Sequence, residues 1–246
     1  YIKTFDKSAE ITFYPTITRV FNSIGKECEL GIIPIENTLD GYVQLVLDLL
    51  AQANLQIIDE LVIPIQFSFV GNSLDISDIK KVYAQFKTQG QCYNFLEQFN
   101  SIKVIFSIVK GNVFSAIIPQ YILNTENTFP FIIENITDSK DNETRFIIFS
   151  KNAESYAVNK HYKTSIVIMD AVNNKPGVLS KILDEFSSRN INLTSIISRP
   201  TKRALGKYYF FIDIEGHYAI DKNISQAIEI ISKNNIVNIL GSFSLI

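Results

Sequence analysis

Asn142-Glu143-Thr144-Arg145-Phe146-Ile147-Ile148-Phe149 joins a polar run, Thr137 to Asn142, to an apolar one, Phe146 to Phe149. The polar half reads as a loop and the Phe-Ile-Ile-Phe half as a buried strand. A hydroxyl and a guanidinium, Thr144 and Arg145, thus stand at the mouth of a strand, where open α/β sheets hold ligands. A matching junction lies upstream. Leu30 to Ile35 is a continuous apolar run suited to a buried parallel strand, and it ends in the loop Glu36-Asn37-Thr38-Leu39-Asp40-Gly41. Asn37 follows one strand as Thr144 precedes the other. An amide beside a hydroxyl can hold a carboxylate or a departing hydroxyl through neutral hydrogen bonds, and Arg145 can pair a carboxylate in bidentate fashion. The plain alternatives are an Asx-turn at Asn37 and a solvated or capping carboxylate at Glu36.

Around these junctions the apolar spacing alternates between strand and helix. Ile11 to Tyr14 reads as a short strand stopped by Pro15. Thr16 to Ile24 carries Ile17, Val20, Phe21 and Ile24 at helical spacing, with Thr16 as N-cap. Tyr42 to Ala53 is a second helix, with Val43, Val46, Leu47 and Leu50 on one stripe. Leu55 to Ile58 and Leu61 to Val70 read as strands, the second interrupted by Pro64. Asp75 to Lys80 is a helical turn, Lys81 to Ala84 a strand, Thr88 to Phe99 a helix, and Lys103 to Ile108 a strand. Val113 to Ile118, Phe129 to Glu134 and Thr144 to Phe149 complete the set. The order argues for α/β, in two lobes with the chain crossing near Ile63 and back near Thr128, and with a cleft between them as a small-ligand site.

Lys151 to Lys163 reads as a polar linker, and a second pattern follows it. Thr164 to Ala171 is a strand, Asn174-Lys175-Pro176-Gly177 a turn, and Val178 to Arg189 a helix. Ile191 to Ser198 and Lys207 to Ile214 are strands, Ile224 to Ser232 a helix, and Ile236 to Leu240 with Phe243 a last strand. That order is βαββαβ, the ferredoxin-like arrangement. The expected domains are residues 1–152 and residues 162–246.

Composition limits what such a chain can do. Of 246 residues, 46% are hydrophobic and 20% charged, with a formal net charge of −2. Those values suit a globular protein, and no basic patch is present to hold nucleic acid. Cys28 and Cys92 make no metal-ligand spacing and read as packed thiols of a reducing compartment. No apolar run reaches about 18 residues, so no membrane span is expected. Tyr1-Ile2-Lys3-Thr4 has neither a signal-peptide core nor an initiator Met, so the natural chain is expected to begin earlier and to be cytoplasmic. His161 and His217 read as surface residues without catalytic partners. There is no Gly-rich phosphate loop, no zinc pattern and no G-x-S-x-G elbow, so neither metal nor cofactor is expected.

The motifs carry a family resemblance. Leu30-Gly31-Ile32-Ile33-Pro34-Ile35-Glu36-Asn37-Thr38 resembles the G-V-V-P-I-E-N-[ST] segment of prephenate dehydratase, and Thr144-Arg145-Phe146 that family's T-R-F motif. Asn174-Lys175-Pro176-Gly177-Val178-Leu179, then Asn190-Ile191-Asn192-Leu193-Thr194, then Ser198-Arg199-Pro200 resemble the N-x-P-G-A-L and E-S-R-P motifs of its C-terminal ACT domain. The resemblance runs in order over nearly the whole chain. It implies a two-lobed, periplasmic-binding-protein-like catalytic domain followed by the ACT domain. It implies conversion of prephenate to phenylpyruvate with loss of water and carbon dioxide, and no cofactor. Thr144 is implied as hydrogen-bond donor to the leaving hydroxyl, with Asn37, Thr38, Gln91, Arg145 and Phe146 lining the substrate pocket. L-Phenylalanine is implied as a feedback effector at Asn174, Pro176, Gly177, Val178 and Leu179, facing Asn192, Leu193 and Thr194 of a neighbouring subunit in a homodimer or homotetramer.

The sequence also departs from the family. V-Y-S-H-P-Q has become Val82-Tyr83-Ala84-Gln85-Phe86-Lys87, so the pocket serine is Ala84. The family's first strand and G-x-x-G-[TS]-F loop are expected upstream of Tyr1. The S-T-x-E-A helix start expected after Ser107 is not found, since Ile108-Val109-Lys110-Gly111 runs almost directly to Val113. Ile197 replaces the Glu of E-S-R-P and Val178 the Ala of G-A-L. A lost hydrogen bond to a charged substrate costs roughly 1.5–3 kcal/mol. These losses motivate an alternative, a homologue that no longer turns over and is kept as an amino-acid-binding regulatory protein. A two-lobed solute-binding protein would share the lobes but not the C-terminal pattern.

Overall fold

Thr16 begins the first helix as its position predicts: its Oγ1 accepts from the Arg19 N–H at 3.2 Å, and α1 runs Ile17–Ser23. The computed structural model of the chain describes residues 7–72, 79, 81–99, 103–105, 115–124, 129–152, 161–169, 176–202 and 207–244. The helical turn expected at Asp75 to Lys80 and the segment after Ser107 fall almost wholly outside them. The remaining elements are β1 (Leu30–Asn37), β2 (Gly41–Tyr42), α2 (Gln44–Leu50), β3 (Gln56–Pro64), β4 (Phe67–Gly71), β5 (Lys81–Tyr83), α3 (Phe86–Gln91), α4 (Tyr93–Glu97), β6 (Lys103–Ile105), β7 (Ser115–Pro119), a 3₁₀ turn (Gln120–Asn124), β8 (Phe131–Ile133), β9 (Glu143–Ser150), β10 (Tyr162–Met169), α5 (Val178–Ser187), β11 (Leu193–Pro200), β12 (Tyr208–Glu215), α6 (Lys222–Ser232) and β13 (Ile236–Ser244).

Three sheets form, in the orders β2-β1-β9-β3, β6-β5-β7-β4-β8 and β11-β12-β10-β13. The chain divides into two compact units: Tyr1–Ile35, Val43–Leu61 and Phe146–Ile246 make one, and Glu36–Tyr42 and Val62–Arg145 the other. The boundaries at Ile35/Glu36 and Tyr42/Val43 answer to no expected crossing. Of the two that bear on the expected crossings, the first, Leu61/Val62, falls near Ile63. The second comes later than Thr128, because β8 pairs antiparallel with β4 and the segment after it hydrogen-bonds there too, Ile136 N to Phe67 O at 3.1 Å.

In the unit containing the C-terminal residues, the order β10-α5-β11-β12-α6-β13 and its antiparallel sheet reproduce the ferredoxin-like arrangement. Helix α6 buries Ile224, Ala227, Ile228 and Ile231, spaced i, i+3, i+4 and i+7, and α5 buries Ile182 and Phe186. Both close over Ile166, Ile168, Ile212 and Ile214. Burying each large side chain stabilises the fold by about 2 kcal/mol. Gly241 in β13 lies at φ +148°, and a Cβ there would run into the Ile57 carbonyl oxygen, so only glycine lets these backbones approach. Nearby, the Lys163 ammonium meets both Glu60 carboxylate oxygens, at 2.7 and 2.6 Å, with both residues buried. Lys163 therefore belongs to a strand and not to the expected linker.

The same unit holds a charged cluster around Asp48 of α2. Arg199 donates from Nε to Oδ1 at 3.2 Å and from an Nη to both oxygens at 3.0 Å. Tyr209 donates to Oδ1 at 2.6 Å, and Lys202 Nζ lies 2.6 Å from Oδ2. Burial alone would push the Asp48 carboxyl up, but the hydrogen bonds from Lys202, Tyr209 and Arg199 outweigh it and hold the group below the usual carboxylate range.

Several other expectations change. Ile11 to Tyr14 forms no strand; Phe13 is exposed and has no apolar face to cover. Glu36 and Asn37 end β1 rather than opening a loop, and Tyr42 lies in β2, so α2 is shorter than Tyr42 to Ala53. Leu55 to Ile58 and Leu61 to Pro64 are one strand running through Asp59 and Glu60. The helix expected at Thr88 to Phe99 breaks at Cys92 into α3 and α4. His161 is exposed as expected, but His217 is buried. Its backbone N–H donates to Asp221 Oδ2 at 2.6 Å, its ring Nδ1 accepts from Ala219 N–H at 3.1 Å, and its ring stands edge-on to Tyr162.

Candidate active site

The unit made of Glu36–Tyr42 and Val62–Arg145 brings the two junction motifs together. Strand β1 ends at Asn37 and turns into β2 in a hairpin whose register pairs Asn37 with Gly41. Gly41 takes φ +72°, which glycine adopts without strain. The Asn37 side-chain oxygen accepts from the backbone N–H groups of Leu39 and Asp40, both at 3.0 Å, which is the Asx-turn. Thr38 ties the turn to the start of β9. Its N–H donates to Glu143 O at 3.0 Å, its hydroxyl donates to Asp141 O at 3.1 Å, and that hydroxyl accepts from Glu143 N–H at 3.0 Å.

With its oxygen held by the turn, the Asn37 amide nitrogen points at the start of β9. It donates to Asn142 Oδ1 at 2.8 Å, Glu143 O at 2.9 Å and Thr144 Oγ1 at 2.9 Å. Asn37 and Thr144 therefore meet directly, both within this one unit. Asn37 does both things its sequence allowed: it stabilises its own turn and reaches a hydroxyl. Among the described residues no acceptor takes the Thr144 hydroxyl proton.

Gln91 joins the same cluster from the end of α3. Its Oε1 accepts from Asn142 Nδ2 at 2.9 Å and its Nε2 donates to Asp40 Oδ2 at 2.7 Å. Asp138 fixes this end of the helix pair by accepting from the Tyr93 and Asn94 N–H groups at 2.8 and 3.1 Å, while its own N–H donates to Gln91 O at 2.8 Å. Burial, then the Asp138 charge, push the neighbouring Cys92 thiol up to about 12. Cys92 is thus a packed, unreactive thiol.

Arg145 and Phe146 have other partners. The Arg145 guanidinium pairs with Glu36 Oε2, at 3.1 Å from Nε and 3.0 Å from an Nη, and lies 5.9 Å from the Tyr42 ring centroid. Glu36 is therefore an ion-pair partner rather than a free carboxylate, and Arg145 braces the start of β9 against the β1–β2 hairpin. Phe146 packs with Ile58, Leu61 and Ile148. Ala84, where the family carries serine, is buried in the apolar cluster of Phe69, Val82 and Cys92.

Sequence reading misses Asp40, Asn142 and Asp138. Asp40 and Asn142 lie inside the quoted motif stretches and read only as loop. The signal available is that an amide stands at the strand boundary of each stretch, at Asn37 and Asn142.

The residues expected at the effector site fall at two places. Gly177 takes φ +85° just before α5, with nothing within 4 Å of where a Cβ would stand. Pro176 and Gly177 are exposed, and Val178 and Leu179 half-buried. Asn174 lies outside the described residues. Asn192 and Thr194 are exposed, Leu193 half-buried, and Asn192 O accepts from Glu215 N–H at 3.0 Å. Helix α5, about 15 Å long for its ten residues, separates Gly177 from the turn that leads to Asn192. Within one copy Gly177 and Asn192 thus lie beyond opposite ends of α5.

Among the described residues no His, Cys, Asp and Glu group is placed to hold a metal, and no helix is long and apolar enough to cross a membrane. The prephenate dehydratase family model matches residues 1–154, and the ACT domain model residues 165–232. A prephenate dehydratase of Methanocaldococcus jannaschii is 33% identical, over 99% of this chain and 91% of that one. That of Bacillus subtilis is 32% identical, over 86% of this chain and 81% of that one. The Staphylococcus aureus prephenate dehydratase structure matches with TM-score 0.79 at 28% identity, over 97% of this chain and 92% of that one. The Arthrobacter aurescens enzyme in complex with L-Phe matches with TM-score 0.78 at 28% identity, over 93% of this chain and 78% of that one. The chain belongs to the prephenate dehydratase family, with an ACT domain following the dehydratase region.

Proposed function

We propose that the protein converts prephenate to phenylpyruvate, with L-phenylalanine as feedback effector at the ACT domain. The observation that carries the reading is the hydrogen bond from Asn37 Nδ2 to Thr144 Oγ1 at 2.9 Å. Because that oxygen accepts from the amide, the Thr144 proton is left to donate. In the reaction the bond from the ring carbon to its carboxylate breaks and carbon dioxide leaves. The electron pair enters the ring, and the C4–O bond breaks on the far side of the ring as aromaticity is gained. The departing oxygen gathers negative charge and takes up a proton from solvent to leave as water. Threonine is a poor acid, so Thr144 contributes a positioned hydrogen bond to that oxygen rather than a full proton transfer. Gln91 and Thr38 flank it as substrate contacts, and Arg145, occupied by Glu36, acts mainly as a brace.

The test is prephenate turnover followed by phenylpyruvate absorbance, with Thr144→Ala as the variant. Activity above the uncatalysed background that disappears in this variant is expected. No turnover, with phenylalanine still binding by calorimetry, would instead support the regulatory reading that Ala84 motivates.

The separation of Gly177 from Asn192 supports an effector site shared between two copies, with the Gly177 backbone approaching the phenylalanine carboxylate. A homodimer at least is expected in sedimentation, and strictly monomeric protein that still binds phenylalanine would overturn that arrangement. The unpaired Cys28 and Cys92 support a reducing, cytoplasmic setting.

A further inference from the structure

We propose that Asn142 is the positioning residue of this site. It holds the pocket amide Gln91 in a single orientation, oxygen toward Asn142 and nitrogen toward Asp40, beside the Asn37 amide that the β1–β2 turn orients toward Thr144. Its own side chain is fully buried and uses both ends. Oδ1 accepts from Asn37 Nδ2 at 2.8 Å, while Nδ2 donates to Ile65 O at 3.0 Å and to Gln91 Oε1 at 2.9 Å.

The direction of each bond follows from groups that cannot reverse, not from the amides, which could be turned end for end. The Ile65 carbonyl only accepts, so the Asn142 nitrogen faces it and the Asn142 oxygen faces Asn37. Backbone N–H groups of Leu39 and Asp40 only donate, so they fix the Asn37 oxygen and send its nitrogen to Asn142 and Thr144. At the far end the Asp40 carboxylate oxygen takes a hydrogen bond, so Gln91 turns its nitrogen there and its oxygen to Asn142. The polarity runs unbroken from Asn37 through Asn142 and Gln91 to Asp40, and at Asn142 donor and acceptor must be separate atoms of one side chain. This rests on the proposed dehydratase reading only for taking Gln91 as a substrate contact.

Asn142→Asp is the discriminating variant, because it keeps the shape and removes the donor. An ionised carboxylate at this position would face the Ile65 carbonyl and the Gln91 oxygen with lone pairs on both sides. Turning Gln91 to donate would set its oxygen against the Asp40 carboxylate. Protonated, the introduced carboxyl has one donor and one acceptor again. Burial raises the pH at which such a carboxyl takes up its proton, so recovery falls between about pH 8 and about pH 5.

The expected result is a kcat at least about tenfold below wild type at the alkaline end, with the variant-to-wild-type ratio climbing as pH falls. In the double variant D40N/N142D, the amide introduced in place of the Asp40 carboxylate can donate to a turned Gln91. The double variant should therefore exceed N142D by about threefold or more at the alkaline end, and it serves equally if N142D alone folds poorly. A ratio that stays flat across pH, or a double variant no faster than N142D, overturns the proposal.

Side-chain amide NMR gives an arm independent of turnover. The Gln91 NH₂ resonances should titrate in N142D and not in wild type; resonances that stay put in both overturn the proposal. If wild type fails to consume prephenate while the Gln91 resonances titrate, the dehydratase reading fails and the role of Asn142 stands.

Discussion

Asp48 and Asn142 are both buried polar centres, one in each unit, and they are built by opposite rules. Around Asp48 an anion is met by Arg199, Lys202 and Tyr209, so every lone pair that faces the protein is used. The Tyr209 hydroxyl is in turn pushed up, first by burial and then by the Asp48 carboxylate, so it stays a donor. Around Asn142 the side-chain partners are the amides Asn37 and Gln91, which link the Asp40 carboxylate at one end to the Thr144 hydroxyl at the other, and among the described residues no acceptor takes that hydroxyl's proton. A saturated charged centre has nothing left to offer a ligand and holds elements together. A chain of amides that leaves one donor unspent can act on a substrate. The difference separates a joint from a site without reference to any relative.

Substitution at each centre should therefore fail in a different observable. Thr144→Ala removes the unspent donor and should lower kcat by about 10²–10³, the usual cost of a donor aimed at developing charge, while the melting temperature stays near wild type. Thr144→Ser keeps the hydroxyl and should retain far more activity. Asp48→Asn should do the reverse. It leaves Arg199 buried without its counter-charge and should cost about 3 kcal/mol of unfolding free energy in urea, with kcat of the folded fraction little changed. If Asp48→Asn slowed catalysis more than it lowered stability, the two centres would not be separate in kind.

Acid should separate them further. The Asp48 carboxyl titrates below its unfolded value, so its contribution is present above about pH 4 and is lost as pH falls through the lower folded value. His217 is held below its ordinary range by burial, which outweighs the opposing pull of Asp221. Its unfolded form takes up a proton first, so that stability is present above about pH 6.5 and declines as pH falls toward the depressed folded value. The melting temperature should thus drop in two stages on acidification, and His217→Gln should remove the upper one. Amides do not titrate, so the links from Asn142 to Asn37 and Gln91 should survive the upper stage unchanged.

How much of this is legible in the sequence follows the reach of each interaction along the chain. The ferredoxin-like half can be read because its apolar residues recur at local spacings, as in Ile224, Ala227, Ile228 and Ile231 of α6. Thr144, Asn37 and Gln91 can be picked out because they stand at strand boundaries or sit in motifs. Their partners cannot. Asn142 is 105 residues from Asn37 and 51 from Gln91, and no local pattern says which polar loop residue will meet another at that distance. Asp48 is hidden for the same reason: on α2 it reads as the polar side of a helix, and only its meeting with Arg199, 151 residues away, explains its burial. His217 passes for a surface residue because a lone histidine after a strand gives no sign that Tyr162 will cover it.

The smallest expected effect tests the Asp48 centre from its outer edge. Lys202 lies close to Asp48 Oδ2, yet its own side chain is 68% exposed, against 12% for Arg199. An ion pair whose cation stays in water gains little, because solvent screens it and the long side chain loses freedom in holding one geometry. Lys202→Ala should therefore cost only about 0.5 kcal/mol, and the deficit should shrink in high salt. Arg199→Ala should cost several times more and keep its deficit in the same salt, since the buried contact is reached by neither water nor ions. Urea midpoints of the two variants at low and high salt make the comparison. Equal salt sensitivity would mean that Arg199 too is solvated, and the Asp48 cluster would then be a surface network rather than a closed joint.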